Sequence, residues 1–386
     1  MMIRTGILMP RSTLYPALGL DILNGIKQYL KQAGIFDEIK LLTDNIGFGT
    51  DEAEIYAKAE KMLLQEDVYL VILCADSRIA EMLQPLFTAT NKLLLVVNFG
   101  ANFPESWQPA PTTIIHSLNF CLHTYLTGTL AAKEINKQAA NVISYYDGGY
   151  RQCYTMLQAH QANAGVPKFN HITHLKLQEF TLQPLQDFLE ANTDVQTLLC
   201  LFAAEQAEKF YNEITLLQKK FNLTLYVSPM MLDVGLKASV AEAFSIQNVK
   251  GYAPWHPALK NKHNDLFTQV LNASGNTAVN YFSLLGWETG LILEQIYRQF
   301  AAGKNNVVEV VKQLTQIVFN SPRGWVKIDP LSHNTYGPAW LLSVNDNMEV
   351  RVEAELENIE TAWADLKAVE MPPGESSSWR NTYLCI

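Results

Sequence analysis

The chain has 386 residues, a formal net charge of −9 at pH 7 and 17% charged residues. This acidic balance, without a basic cluster, excludes a nucleic-acid partner, because phosphate binding needs concentrated positive charge. No apolar run approaches the ~20 residues of a membrane-spanning helix. The length exceeds that of one typical core and predicts two domains.

Short apolar runs alternate with amphipathic stretches in the first part of the chain, which is typical of β-α-β units. The predicted strands cover residues 5–9, 39–42, 68–74 and 92–98. The predicted helices cover residues 18–30, 52–64 and 77–86, with Asp51 as the N-cap of the second. Runs such as 68–74 are apolar throughout, as expected of parallel strands that are buried on both faces.

The same alternation restarts after residue 117. The predicted helices are 120–137, 150–164, 184–191 and 205–221, and the predicted strands are 142–146, 174–177, 195–202 and 223–228. Further on, we predict a strand at 249–255, helices at 265–273, 279–300, 307–318 and 354–368, and a β-hairpin within 319–344. The fold class is therefore α/β, with two doubly wound Rossmann-like units.

Motifs for common chemistry are absent from the sequence. It contains no Walker A loop, no complete G-x-G-x-x-G and no G-x-S-x-G. His171 and His174 would point to opposite faces of a strand, which argues against a metal site. The five cysteines form no C-x-x-C pair, so neither a zinc site nor a dithiol is indicated. We expect no cofactor and no metal, and an enzyme is the weakest of the functions considered.

Ligands of open α/β sheets bind at the loops that follow the strands. Ser77 lies in one such loop, where it serves either as a helix N-cap or as a ligand contact. Three arginines, Arg11, Arg78 and Arg151, also lie in these loops. Taken singly, each is expected to be a solvated charge at the rim. Together they favour a carboxylate ligand, because guanidinium binds carboxylate through two parallel hydrogen bonds.

Several segments resemble one family, the type I periplasmic binding proteins, in particular the substrate-binding components of branched-chain amino acid ABC transporters. They are TGILMPRS, VYLVILCADSRIAEMLQPL, YYDGGYRQCYTMLQAHQANAG, NYFSLLGWETGLILEQIY and NSPRGWVKIDPLSHNTYGPAWLLSV. The resemblance implies two lobes joined by three hinge crossovers. Lobe one would be 1–117 plus 253–327 and lobe two 118–252 plus 328–357, followed by a C-terminal extension, 358–386. Ligand would bind in the inter-lobe cleft, and the lobes would close on it by a hinge.

The resemblance also implies the site residues. The family's ligand contacts match Ser77, Gly100, Asn102, Tyr150 and Phe282, together with a loop from Phe202 to Glu205. Asn102 stands where the family has a hydroxyl residue. Met230 stands where the family has the acidic partner of the ligand's amino group. Asp233 or Glu205 would have to replace that acid; otherwise the ligand is not a simple α-amino acid, because a buried ammonium needs compensation.

The leading hypothesis is therefore the substrate-binding component of an ABC importer, with a small carboxylate-bearing metabolite as ligand. Its partners would be the membrane subunits of the transporter, and it would be a monomer or weak dimer in the periplasm, its signal peptide having been removed. The alternative is a cytoplasmic or membrane-associated small-molecule sensor with the same fold. The resemblance leaves Cys74 without the cysteine that pairs with it in the family, which gives no support to an oxidising compartment.

Overall fold

The computed structural model describes residues 2–370, apart from 103, 105, 134–136, 145–148, 175, 234–247, 276 and 346–348. Its contacts divide the chain into two compact units. Unit 1 comprises Met1–Leu118 and Lys260–Gly337, and unit 2 comprises Asn119–Leu259 and the described chain from Pro338. The lobe boundaries predicted from the sequence refer to the two bodies that would move in hinge closure. They remain a prediction, because the division into units rests on contacts and not on motion.

Strands and helices alternate through most of the described chain. The strands are β1 Ile3–Met9, β2 Ile39–Asn45, β3 Leu70–Cys74, β4 Leu93–Asn98, β5 Thr113–Ser117, β6 Gln138–Ser144, β7 Val166–Thr173, β8 Thr197–Leu201, β9 Thr224–Val227, β10 Val249–Ala253, β11 Val318–Ser321, β12 Gly324–Ile328, β13 Thr335–Tyr336, β14 Trp340–Val344 and β15 Val350–Glu355. The α-helices are α1 Leu18–Gln32, α2 Glu52–Leu64, α3 Ser77–Thr90, α4 Phe120–Ala132, α5 Gly149–Ala162, α6 Gln183–Ala191, α7 Ala204–Phe221, α8 Lys262–Ser274, α9 Tyr281–Ala301, α10 Val307–Leu314 and α11 Ile359–Lys367.

Unit 1 is built on a parallel five-stranded sheet in the order β2-β1-β3-β4-β5. Every residue of β3 is buried, as the continuous apolar run predicts. Helices α1 and α9 are so close that a Cβ atom at Gly25 or Gly286 would overlap with the backbone of the other helix. A small antiparallel sheet, β11-β12-β13, completes the unit.

A buried ion pair lies within unit 1. Arg323 donates from Nε to Oε1 of Glu288 at 2.8 Å and from Nη2 to Oε2 at 2.9 Å. The two side chains are 1% and 2% exposed. Arg323 also donates to the carbonyl of Ser117 at 3.3 Å, and Thr335 Oγ1 accepts from the Ser117 amide at 2.8 Å. The pair therefore anchors the end of β5 to the segments around β12 and β13.

His116 of β5 packs against the same ion pair. Its Nε2 lies 3.4 Å from Glu288 Oε2, and its Nδ1 lies 3.1 Å from Thr335 Oγ1. Burial and the nearby Arg323 charge lower the pKa of His116 to about 3. The Glu288 carboxylate is already neutralised by two hydrogen bonds from Arg323, so His116 is a neutral member of this network.

Unit 2 contains a seven-stranded sheet in the order β15-β14-β10-β9-β8-β6-β7. The strands from β10 to β7 are parallel, and β14 is antiparallel to both of its neighbours. The two faces of the sheet are covered differently. One carries the main core, which includes Phe202, Phe210 and Leu225, and the other packs Tyr226 against Met156 of α5.

The structure corrects three sequence predictions and adds one strand that was not predicted. The strand predicted at 174–177 is wrong: β7 precedes it, and 177–179 form a 3-10 turn. β7 is an edge strand in which apolar residues such as Val166 and Ile172 are exposed, so no apolar run or clean alternation marks it in the sequence. β5, five residues long, was not predicted. The helix predicted at 354–368 begins only at Ile359, because residues 350–355 form β15, which pairs with β14. The helix predicted at 307–318 ends at Leu314.

Candidate functional site

In unit 1 the topological switch point lies between β1 and β3, since β2 is on one side of β1 and β3 on the other. Open α/β sheets bind ligands at the carboxyl ends of the strands beside such a point. The loops concerned carry Ser12 after β1 and Ser77 after β3, and both residues are buried. The predicted loop at Ser77 therefore stands at the position that fold geometry favours.

The residue at the N-cap position of α3 is Asp76, not Ser77, because α3 begins at Ser77 and the Ile79 and Ala80 amides donate to the Asp76 carbonyl. Asp is a preferred N-cap residue, a signal that was overlooked in the sequence. Asp76 is buried, and its Oδ2 accepts from Asn102 Nδ2 at 2.9 Å. This edge therefore holds a buried acceptor beside the Ser77 hydroxyl.

The loop after β4 is held by Asn98. Its Oδ1 accepts from the Gly100 amide at 2.9 Å, and its Nδ2 lies 3.5 Å from Ser77 Oγ. Gly100 has φ of 65°, the left-handed region that glycine adopts without strain. Since Asn98 takes the Gly100 amide, the structure does not support Gly100 as a free backbone donor. Asn102 is buried and linked to Asp76.

Phe282 lies in an aromatic cluster at the N-terminus of α9. Its ring centroid is 5.0 Å from that of Tyr15 and 5.4 Å from that of Phe99, both edge to face. Asn280 caps α9 and donates to Asp21 Oδ2 at 2.8 Å, which ties the start of α9 to α1 and so orients Phe282. Burial raises the pKa of Asp21, although the bond from Asn280 opposes the rise. Tyr15, which follows β1, was missed by the sequence analysis.

Two of the predicted arginines belong to unit 1. Arg11 is exposed and its guanidinium carbon lies 5.5 Å from the Phe48 ring centroid, a cation–π contact. This placement agrees with a solvated rim charge. Arg78 lies in the first turn of α3, and its side chain is outside the described part of the chain.

In unit 2 the switch point lies between β6 and β8. Tyr150 is the second residue of α5, which follows β6; its side chain is outside the described residues, and its predicted ligand contact stays a prediction. Arg151 is the next residue, and it is 8% exposed. The Arg151 side chain is thus buried in the first turn of α5. The sequence analysis expected each of the three arginines, taken alone, to be a solvated charge.

The loop after β8 differs from the expectation. Phe202 is fully buried in the core and stacks on Phe210 with ring centroids 4.4 Å apart, so its placement does not support a ligand contact. Glu205 is exposed in the first turn of α7. Met230 is buried in a 3-10 turn, Pro229–Leu232, and Asp233 is half-buried.

Searches for two further features gave no candidates within the residues that the structure describes. No group of three or more histidine, cysteine or acidic side chains is arranged to hold a metal ion. No helix combines the length and apolar character needed to cross a membrane.

Two α/β units, each with polar residues at the carboxyl ends of its parallel strands, place the chain in the doubly wound α/β class. The chain belongs to the periplasmic binding protein family, whose model matches residues 2–349. Its fold is that of the type I members, and its solved relatives are solute-binding proteins rather than enzymes. No curated protein sequence matches the chain significantly.

Three similar structures illustrate the range of the family. A solute binding protein from R. palustris, in complex with benzoate, is 18% identical with a TM-score of 0.73 over 92% of this chain and 96% of its own. A solute binding protein from Rhodopseudomonas palustris HaA2, in complex with p-hydroxybenzoic acid, is 16% identical with a TM-score of 0.74 over 92% and 97%. A branched-chain amino acid transporter substrate binding protein from Streptococcus pneumoniae, in complex with isoleucine, is 13% identical with a TM-score of 0.68 over 92% and 99%.

Proposed function

We propose that the chain is the substrate-binding component of an ABC-type importer and that it captures a small carboxylate-bearing solute, either an amino acid or a branched-chain or aromatic acid. The family and the names of its structural relatives support this function, since the benzoate, p-hydroxybenzoic acid and isoleucine of those relatives all carry a carboxyl group. Capture by hinge closure, a periplasmic location and delivery to the transporter's membrane subunits are parts of the same proposal.

The observation that carries the proposal is the burial of Arg151 beside the switch point of unit 2. A guanidinium at this place presents planar, paired N–H donors. Its two parallel N–H groups match the geometry of a carboxylate, and the N-terminus of α5 adds favourable potential for negative charge. The predicted contact of Tyr150, the residue before Arg151, belongs to the same proposed site.

The experiment is a ligand panel read by thermal unfolding and calorimetry, with benzoate, 4-hydroxybenzoate, leucine, isoleucine and 4-methyl-2-oxopentanoate as probes. A ligand at 100 times its Kd stabilises the folded state by about 2.7 kcal/mol, so at least one probe should raise Tm by several degrees. If no carboxylate in the panel shifts Tm or gives a heat of binding, the proposed function is wrong.

A variant pair tests Arg151 itself. Arg151→Lys keeps the charge but loses the fork of two donors, so it should weaken binding of the carboxylate probe by at least about tenfold. The control is Arg351→Met, which removes an exposed arginine from β15 in the same unit and should leave the Kd unchanged. Equal affinity in the Arg151→Lys and wild-type proteins, measured on samples with the same Tm, would remove Arg151 from the site.

A further inference from the structure

Two buried polar side chains follow neighbouring strands of unit 2. Ser228 comes directly after β9 and is fully buried, and His256 follows β10 and is 7% exposed. Among the described residues, neither Ser228 Oγ nor His256 Nε2 has a hydrogen-bond partner. Because β9 and β10 are parallel neighbours, about 4.8 Å apart, both residues lie at the same carboxyl-terminal edge of the sheet.

The protonation state of His256 follows from its contacts. The Ala258 amide donates to Nδ1 at 3.1 Å, so Nδ1 carries a lone pair and the proton of the neutral ring is on Nε2. Burial lowers the pKa of His256 to about 4, and the ring is therefore neutral at pH 7. His256 thus presents a buried N–H donor, and Ser228 a hydroxyl that is free to donate.

Among the described residues of the loops after β8, β9 and β10, no acidic side chain is buried. In the described loops after β8, β9 and β10, the acidic residues are Glu205, which is exposed, and Asp233, which is half-buried. Met230, beside Ser228, is buried and cannot accept a hydrogen bond from an ammonium group with the strength of a carboxylate. A ligand ammonium held by the described residues of these loops would be desolvated without a buried counter-charge, which is unfavourable.

We propose that Ser228 and His256 donate hydrogen bonds to a second oxygen-bearing group of the ligand, a hydroxyl, oxo or carboxylate oxygen, at the edge of unit 2. This rests on the proposed function and narrows its ligand class. The solute is an oxo or hydroxy carboxylate rather than an α-amino acid. Each of these donors can be satisfied by a lone pair of a ligand oxygen, whereas an ammonium group offers the same edge further donors and no acceptor.

Matched pairs of probes test the class of ligand. Leucine and 4-methyl-2-oxopentanoate share a carbon skeleton and differ in the ammonium or oxo group, and benzoate and 4-hydroxybenzoate differ in one hydroxyl. In calorimetry on the wild-type protein at pH 7, we expect the member with the additional oxo or hydroxyl oxygen in at least one pair to bind at least about tenfold more tightly than its counterpart. Leucine or isoleucine binding more tightly than every oxo and hydroxy probe would overturn the inference and leave solute capture intact.

Two variants assign the preference to these residues. Ser228→Ala and His256→Phe should each bring the two members of the preferred pair to within about threefold, while binding of the member without the extra oxygen is retained. Thr173→Val is the control, because Thr173 is also buried without a partner in the described chain but lies on β7, three strands from β9. An unchanged preference in both variants would refute the inference. If the wild-type protein binds no probe at all, both the proposed function and this inference are wrong.

Discussion

The buried pair of Arg323 and Glu288 allows a quantitative test of how unit 1 is held together. In Arg323→Met, a hydrophobic side chain of similar length replaces the guanidinium, and the Glu288 carboxylate loses two hydrogen bonds of 2.8 and 2.9 Å in a site that is 2% exposed. Removing one partner of a buried ion pair costs about 3–5 kcal/mol, because the other charge stays buried without compensation. That is a large part of the 5–15 kcal/mol typical of folded proteins.

The assay is urea unfolding followed by tryptophan fluorescence. With an m-value of about 3 kcal/mol/M, the Arg323→Met midpoint should fall by about 1–1.7 M. The double variant Glu288→Met/Arg323→Met should recover most of this loss, since replacing both members of a buried pair with apolar residues is often neutral. As a surface control, Lys209→Met breaks an exposed pair with Glu213 and should change stability by less than about 1 kcal/mol.

Two outcomes would refute this reasoning. A loss in Arg323→Met no larger than that in Lys209→Met would mean that burial does not raise the cost of an uncompensated charge here. A double variant as unstable as Arg323→Met would mean that the loss arises from packing or from the bond to the Ser117 carbonyl, not from the charge left on Glu288.

Three other expectations concern unit 1. Gly286→Ala should lower the free energy of unfolding by about 1–3 kcal/mol, because the added Cβ would overlap with α1. Gly19→Ala is the control; its Cβ meets no close contact, so the change should be neutral or stabilising. Urea unfolding measures both. Tyr29→Phe should cost about 1–3 kcal/mol, because the phenol donates to the largely buried Glu294 carboxylate at 2.5 Å, and an unchanged urea midpoint would contradict this. The folded-state pKa of His116, about 3, lies below the unfolded value near 6.5, so the unfolded chain takes up the proton first as pH falls. The stability that this site contributes is complete above pH 6.5 and is lost towards pH 3, by up to about 1.4 kcal/mol per pH unit; the pH dependence of stability in His116→Gln should be flatter by that amount.

The sequence predicted the fold well where one physical signal dominated. β3 and β4 are continuous apolar runs buried on both faces, and their existence follows from composition alone. α2 has Asp51 as its N-cap, as predicted, with its Oδ1 accepting from the Glu54 amide at 3.0 Å. β7 was not predicted because an edge strand leaves most of its side chains exposed, apolar ones included, so its sequence shows no clean alternation of apolar and polar residues.

The candidate site was less predictable, because burial depends on neighbours that are distant in sequence. Arg11 and Arg151 occupy equivalent loops by sequence, yet the first is exposed against Phe48 and the second is buried at the start of α5. Phe202 and Phe282 are both aromatic residues near helix starts. Phe202 stacks within the core, whereas Phe282 joins Tyr15 and Phe99 at the strand ends. The contacts of Tyr150 and Arg78 stay predictions.

Met230 illustrates what a resemblance can and cannot supply. Matching the chain to the family located a missing acid but offered no account of what recognises the ligand in its place. The two donors inferred above, Ser228 and His256, follow neighbouring strands, and no motif marks them, because a single serine and a histidine before a proline are unremarkable in sequence. Their significance lies in the combination of burial and absent partners among the described residues, which only folded coordinates reveal. If the inference holds, donors in place of an acceptor at this edge select a ligand that presents an acceptor there, while the fold is unchanged.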